Sequence, residues 1–190
     1  MQLALPFLLW SLLGAQQAAS PTDEELQRER REKVTEVIQA LELKEGQSVA
    51  DVGAGSGLYA VRLARVVGPA GRVYAEDIRE GALKRLRERI AKEKLDNVTA
   101  ILGGPDDPRL PLGALDAVLI VNAYHEMEKP KEMLQRVFAA LKPAGRIVMV
   151  DLMPGKTRKR PRAEQIENHR LAPELAETEL RETGFEILLR

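Results

Sequence analysis

From Ser48 onward, short unbroken apolar runs alternate with longer amphipathic stretches. The runs at 48–52, 72–77, 98–102, 117–121, 146–150 and 186–189 have strand length. Val118-Leu119-Ile120-Val121 is apolar without interruption, as a strand covered on both faces must be. Helical patterns near 58–67, 81–94, 130–141 and 172–183 lie between most of these runs. The alternation predicts one α/β domain over residues 45–190, doubly wound around a mostly parallel sheet with right-handed crossovers. Ahead of it, Thr22-Asp23-Glu24-Glu25 has the spacing of a capping box, opening a helix that reaches about Leu43 within a segment 21–44. Its apolar residues Leu26, Val34, Val37, Ile38 and Leu41 become dense only in the second half. The first half is therefore expected in solvent and the second half on the sheet, with Glu29 and Lys33 one turn apart as a favourable pair.

Residues 1–20 follow a different pattern. An apolar core at 3–13 is followed by the small and polar Gly14-Ala15-Gln16-Gln17-Ala18-Ala19-Ser20, which is the shape of a signal peptide. The core is shorter than the ~20 apolar residues that a membrane-spanning helix needs, and no Lys or Arg precedes it. The expectation is a chain exported to the periplasm or secreted, or anchored by this segment, with a cytoplasmic chain as the alternative.

The densest chemical signal is Val49-Ala50-Asp51-Val52-Gly53-Ala54-Gly55-Ser56-Gly57, a buried strand running into a glycine-rich turn and then a helix. Glycines at alternate positions let the backbone turn tightly and approach a ligand that any β-carbon would hold off. The following helix offers its unpaired N–H groups to an anion or carboxylate. The run is G-x-G-x-G; a dinucleotide fingerprint would need glycine where Leu58 stands, and no Gly-Lys-Ser/Thr follows to make a phosphate-binding loop. Asp77, twenty residues beyond Gly57, closes the second strand where a carboxylate accepts both hydroxyls of a ribose. Asp51 would repel a pyrophosphate and suits an ammonium or sulfonium. The site therefore fits an adenosine whose other half need not be a pyrophosphate.

These residues, with the strand Leu115-Asp116-Ala117-Val118-Leu119-Ile120-Val121-Asn122 and the turn Leu141-Lys142-Pro143-Ala144-Gly145-Arg146, resemble the class I S-adenosylmethionine-dependent methyltransferases over roughly residues 33–190. The resemblance implies a Rossmann-like methyltransferase fold and S-adenosyl-L-methionine as cofactor. The cofactor would be held by Asp51, Gly53, Ala54, Gly55, Gly57, Asp77, Ile78, Asp106 and Asn122, with Asp51 at the methionine amino end and Asp77 on the ribose diol. Resembling enzymes carry an acid that contacts the adenine amino group; here Gly104 takes that slot and Asp106 is its substitute, with a solvated turn as the alternative, in which case the backbone of 103–106 is left to read the adenine edge. They also close the sheet with an antiparallel strand, and the expectation here is a sheet without that last hairpin. The 186–189 strand is then expected beside the fifth strand, or the edge is covered by a partner chain.

The fourth strand runs into Asn122-Ala123-Tyr124-His125-Glu126-Met127, the edge where the methyl group meets its acceptor. His125 is the candidate base, because imidazole titrates near neutrality; the alternative is a histidine that only caps the loop. Tyr124 is a candidate to face the sulfonium. The Asn-Pro-Pro-Tyr loop that resembling enzymes use on nucleobase amino groups is absent, which disfavours nucleobase methylation; a small-molecule acceptor is expected. Twenty-nine basic and 29 acidic residues balance to a net charge of zero, and basic residues lack aromatic interleaving, so no specific nucleic-acid partner is expected. The run Lys156-Thr157-Arg158-Lys159-Arg160-Pro161-Arg162 would attract a membrane or another acidic surface. His169 is expected in solvent, with a place lining the substrate mouth as the alternative. With no cysteine and only two histidines, no metal site is expected. Two other readings remain: a non-catalytic S-adenosylmethionine-binding module that uses its basic loop or open sheet edge for interaction, and a nicotinamide-dependent oxidoreductase.

Overall fold

The computed structural model describes residues 22–153, 155–156 and 158–188; the signal-shaped segment lies outside them. Two helices, α1 (Asp23–Arg31) and α2 (Val34–Ala40), precede the sheet. The domain then runs β1 (Ser48–Val52), α3 (Leu58–Val67), β2 (Arg72–Asp77), α4 (Glu80–Glu93), β3 (Val98–Leu102), β4 (Leu115–Val121), α5 (Pro130–Ala140), β5 (Leu141–Val150), α6 (Arg162–Ile166) and α7 (Pro173–Thr183). The five strands lie in the order β3-β2-β1-β4-β5, and every pairing is parallel. The order reverses between β1 and β4. In open parallel sheets a crevice opens at such a point, beyond the carboxyl ends of the strands.

Period-two alternation explains the uninterrupted apolar runs. Val49, Ala117 and Leu119 enter one core with Leu58, Leu63, Leu83 and Leu86. Their strand neighbours Ala50, Val52, Val118 and Ile120 enter a second core with Tyr124, Leu134, Val137 and Leu180 on the other face. A strand buried on both sides has no polar face to show in its sequence. Among the described residues, no helix is long and apolar enough to cross a membrane.

Three local features differ from the sequence expectation. The single helix predicted to Leu43 is broken at Lys33, which adopts a left-handed conformation (φ 49°). Glu29 is consequently paired with Arg62 of α3 rather than with Lys33, while Val34 and Leu41 are buried as expected. The capping box cannot be followed, because the Glu25 side chain lies outside what the structure describes. Secondly, Phe185, Glu186, Ile187 and Leu188 form no strand. Their alternation instead packs Phe185 and Ile187 against the second core, with Phe185 edge-on to Phe138 at 5.0 Å. Thirdly, β5 begins at Leu141, which pairs with Leu115 before a register irregularity; the regular ladder joins Ala117–Val121 to Arg146–Val150.

Asn97 ties the first layer together. It is buried, and its side-chain amide donates to the carbonyls of Ala64 and Gly68, both at 2.8 Å. It thereby satisfies carbonyls that the end of α3 leaves without intrahelical partners. Asn97→Ala should lower unfolding stability by about 2 kcal/mol, read as a shifted urea midpoint with an unchanged slope; an unmoved midpoint would show that these bonds contribute nothing net.

Candidate active site at the carboxyl ends of the strands

The turn after β1 is built from left-handed glycines, with φ 77° at Gly53, 57° at Gly55 and 84° at Gly57. A β-carbon on Gly53 would lie 2.5 Å from the Ala123 methyl, and one on Gly57 would lie 2.4 Å from Leu86. Conformation and space both exclude larger residues there. The Gly53 and Ala54 N–H groups donate to the Glu76 carbonyl at 2.9 and 2.8 Å, which fixes the turn on the end of β2.

Three carboxyl groups converge at this turn, and each is 2% exposed. The Asp77 Oδ2 accepts from Gly55 N–H at 2.9 Å, and its Oδ1 accepts from Arg79 N–H at 2.9 Å. The Arg79 guanidinium adds contacts of 3.1 and 3.4 Å. Asp51 and Glu76 are less well served, since Asp51 Oδ2 and Glu76 Oε1 are buried without a hydrogen-bond partner. Burial pushes the Asp51 carboxyl up to about 7; the Ala60 backbone N–H opposes this and the Asp77 charge adds to it. Burial likewise pushes Glu76 up to about 8, against the pull of the Gly53 N–H. Glu76 fills the space that Gly103 leaves, where a β-carbon would sit 1.8 Å from its Oε1. Two orphaned oxygens beside a glycine cradle are what a ligand bearing donors and a positive charge would satisfy.

Beyond the acids, Ile78 and Leu102 stand at the tips of β2 and β3 with exposures of 57% and 41%, an apolar rim suited to a flat ring. Asp106 is farther out, bonded to Lys129 Nζ at 2.9 Å, and this ion pair holds its carboxyl below the usual range. Gly104 N–H donates to the Asp107 carbonyl at 2.8 Å. Asn122 is exposed and left-handed (φ 50°), and its N–H bonds to the Val150 carbonyl at 2.8 Å.

The residues after β4 separate. Tyr124 is fully buried in the second core, with its hydroxyl donating to Glu179 at 2.7 Å and its ring 5.0 Å from the Arg162 guanidinium. This geometry turns the ring toward α7 and away from the role of facing a sulfonium. Burial, together with Glu179, raises the Tyr124 phenol above its ordinary range. His125, in the 3₁₀ turn Tyr124–Glu126, is 4% exposed and held at two points by Asp151. Its N–H donates to Oδ2 at 3.0 Å, and its Nδ1 lies 2.7 Å from Oδ1. A neutral imidazole that donates from Nδ1 to this carboxylate carries its lone pair on Nε2.

Sequence reasoning missed Glu76, Asp151, Glu179 and the role of Arg162. Asp151 could have been found, because it is the acid immediately after the strand paired with β4. The basic 156–162 segment is less available than its composition suggests: Arg158 pairs with Glu174, Arg160 with Glu164 at 3.8 Å and Arg162 with Glu179 at 2.9 Å. Helices α6 and α7 thus answer three of the five basic charges that were expected to attract an acidic surface. His169 is exposed as expected, yet its ring lies 5.6 Å from that of His125.

Over residues 49–145, just over half its length, the chain matches the family described as "Methyltransferase domain". It is 28% identical over 116 residues to the demethylmenaquinone methyltransferase of Listeria monocytogenes serotype 4a, covering 61% of this chain and 49% of that protein. The chain spans about half the length of the curated relatives it matches. Its fold is similar to that of a SAM dependent methyltransferase from Aquifex aeolicus, with a TM-score of 0.73 and 22% identity over 90% of this chain and 92% of the other. It is also similar to that of the Haemonchus contortus phosphoethanolamine N-methyltransferase 2 in complex with S-adenosyl-L-methionine, with a TM-score of 0.66 and 22% identity over 80% and 36% of the two chains.

Proposed function

Because the chain belongs to the methyltransferase-domain family, we propose that it transfers a methyl group from S-adenosyl-L-methionine to a small-molecule acceptor. The observation that carries this reading is the pair of partnerless buried oxygens on Asp51 and Glu76 beside a turn whose left-handed Gly53 and Gly57 leave no room for a β-carbon. Bound there, the cofactor supplies an electrophilic methyl group on a positively charged sulfur.

The chain's own residues bind, orient and exclude water. Asp51 takes the ammonium of the methionine end as an ionised carboxylate. Asp77 takes the ribose diol once the Arg79 guanidinium, itself 65% exposed, swings aside; that guanidinium occupies the place two hydroxyl donors would hold. Ile78 and Leu102 support the adenine, and the backbone of 103–106 reads its edge, with Asp106 at the mouth. Gly53, Ala54, Gly55 and Gly57 allow close backbone approach, and Asn122 lines the side toward β4. Holding the reacting atoms in line supplies much of the acceleration, since the sulfonium is already activated.

His125 presents its Nε2 lone pair at the end of β4 and takes the acceptor's proton. His125→Ala should lower kcat by about 10²-fold or more while leaving S-adenosylhomocysteine affinity within a factor of about two; equal turnover in both proteins would make His125 structural. Demethylmenaquinone and phosphoethanolamine, named for the similar proteins, are small acceptors of the kind proposed. Release of S-adenosylhomocysteine across a panel of hydroxylated, aminated and quinone acceptors tests the function. Turnover on at least one supports it, and cofactor binding without turnover on any would favour a binding module. Export or anchoring by residues 1–20 is proposed on their apolar pattern alone, and fractionation of cells expressing the full chain reads it out.

A further inference from the structure

Both histidines of the chain meet at one place. His125 follows β4 and His169 closes the turn after α6, and Glu126 stands between them. Its Oε1 is 3.7 Å from His125 Nε2 and 3.7 Å from His169 Nδ1; the three donor atoms all lie within 4.8 Å of one another. Tetrahedral ligands at about 2.0–2.1 Å from a common ion would stand roughly 3.4 Å apart, so small side-chain movements close the set. Glu126 and His169 are 53% and 73% exposed and have room for that movement.

One further observation distinguishes this trio from a chance grouping. Asp151 bonds His125 Nδ1 at 2.7 Å and also pins its backbone N–H. This is the carboxylate–histidine arrangement that orients an imidazole toward an ion and fixes the required tautomer.

We propose that His125 Nε2, the Glu126 carboxylate and His169 Nδ1 bind one divalent ion of the zinc class, with the fourth position open. Two imidazoles and one carboxylate suit zinc or cobalt rather than magnesium or calcium, which take oxygen donors. Three protein ligands leave a position for water or for an oxygen or sulfur of a second molecule, whose pKa the ion would lower. The site adjoins the end of β4 where the acceptor is placed. With the ion bound, the His125 lone pair is occupied and the ion takes over the task of making the acceptor anionic.

The experiment is a cobalt(II) titration of the full chain after chelator treatment, followed by the visible d–d absorption of low-coordinate cobalt. Saturation at one ion per chain is expected, with bleaching on addition of zinc(II). His169→Ala, an exposed substitution, should weaken cobalt binding by at least about 100-fold without moving the thermal unfolding midpoint, and Asp151→Asn should weaken it about 10–100-fold. A cobalt spectrum identical to that of the hydrated ion, or equal affinity in His169→Ala and the parent, overturns the site. S-adenosylhomocysteine calorimetry on the same metal-free samples separates the two proposals: cofactor heat without a cobalt band removes the ion and leaves the methyl-transfer reading standing.

Discussion

Asp77→Ala is expected to weaken S-adenosylhomocysteine binding by at least about 30-fold, roughly 2 kcal/mol. The residue is 2% exposed at the end of β2, the strand beside β1 and its glycine turn. A carboxylate there gives a ribose diol two charge-assisted hydrogen bonds, stronger than neutral ones. The same carboxylate holds the Gly55 N–H at 2.9 Å, so alanine also strands a backbone donor in the turn that must stay closed. Asp77→Asn separates the two effects. It keeps an acceptor for Gly55 and loses the charge, so its affinity should fall between those of the parent and the alanine variant. Calorimetry on the three proteins reads the series, and an unchanged dissociation constant in Asp77→Ala would remove this residue from the site.

Asp51→Asn should make the chain more stable and less able to bind cofactor. The folded carboxyl is raised to about 7, with burial the main cause, while the unfolded one titrates near its ordinary 3.8. Between those values the folded chain holds a proton that the unfolded chain has lost, so stability falls as pH rises from about 4 to about 7 and then levels. Asparagine has no ionisation to suppress. The variant should therefore match the parent near pH 4 and exceed it near pH 8, by on the order of 2 kcal/mol. Its thermal midpoint at the two pH values checks this. Affinity moves the other way: the parent should bind S-adenosylmethionine more tightly at pH 8 than at pH 6, because the ammonium needs the ionised acid, and Asp51→Asn should be weak at both. A variant no more stable at pH 8 than at pH 4, relative to the parent, would contradict the burial argument. Binding independent of pH in the parent would contradict the assignment of the ammonium to Asp51.

The parallel sheet was legible because its strands are buried on both faces. The runs 72–77 and 98–102 coincide with the observed strands, and the unbroken apolar stretch of β4 divides between the two cores. The glycine turn was legible for a different reason. Left-handed backbone at three alternate positions admits few residue types, so a local conformation is written into local composition. What remained hidden depends on directions in space. Glu76 and Asp77 are adjacent acids on one strand and read alike, yet alternation turns them to opposite faces, one toward Gly53 and Gly103 and the other toward Gly55. Tyr124 and His125 are likewise neighbours, and only packing sends the phenol to Glu179 and the imidazole to Asp151. A count of two histidines carries no information on their separation, and only the fold brings the rings of His125 and His169 to 5.6 Å of each other. The 186–189 pattern misled because period-two burial also fits an extended segment packed on a core without a ladder partner.

The most direct test of the central claim is a crystal structure of the full chain grown with S-adenosylhomocysteine. The expected density lies along the glycine turn from Gly53 to Gly57, with the amino end against Asp51, the ribose hydroxyls on the Asp77 carboxylate and the Arg79 guanidinium displaced from it. Ordered water alone at residues 51–57 and 77, with the Arg79–Asp77 contact intact at saturating ligand, would contradict the account.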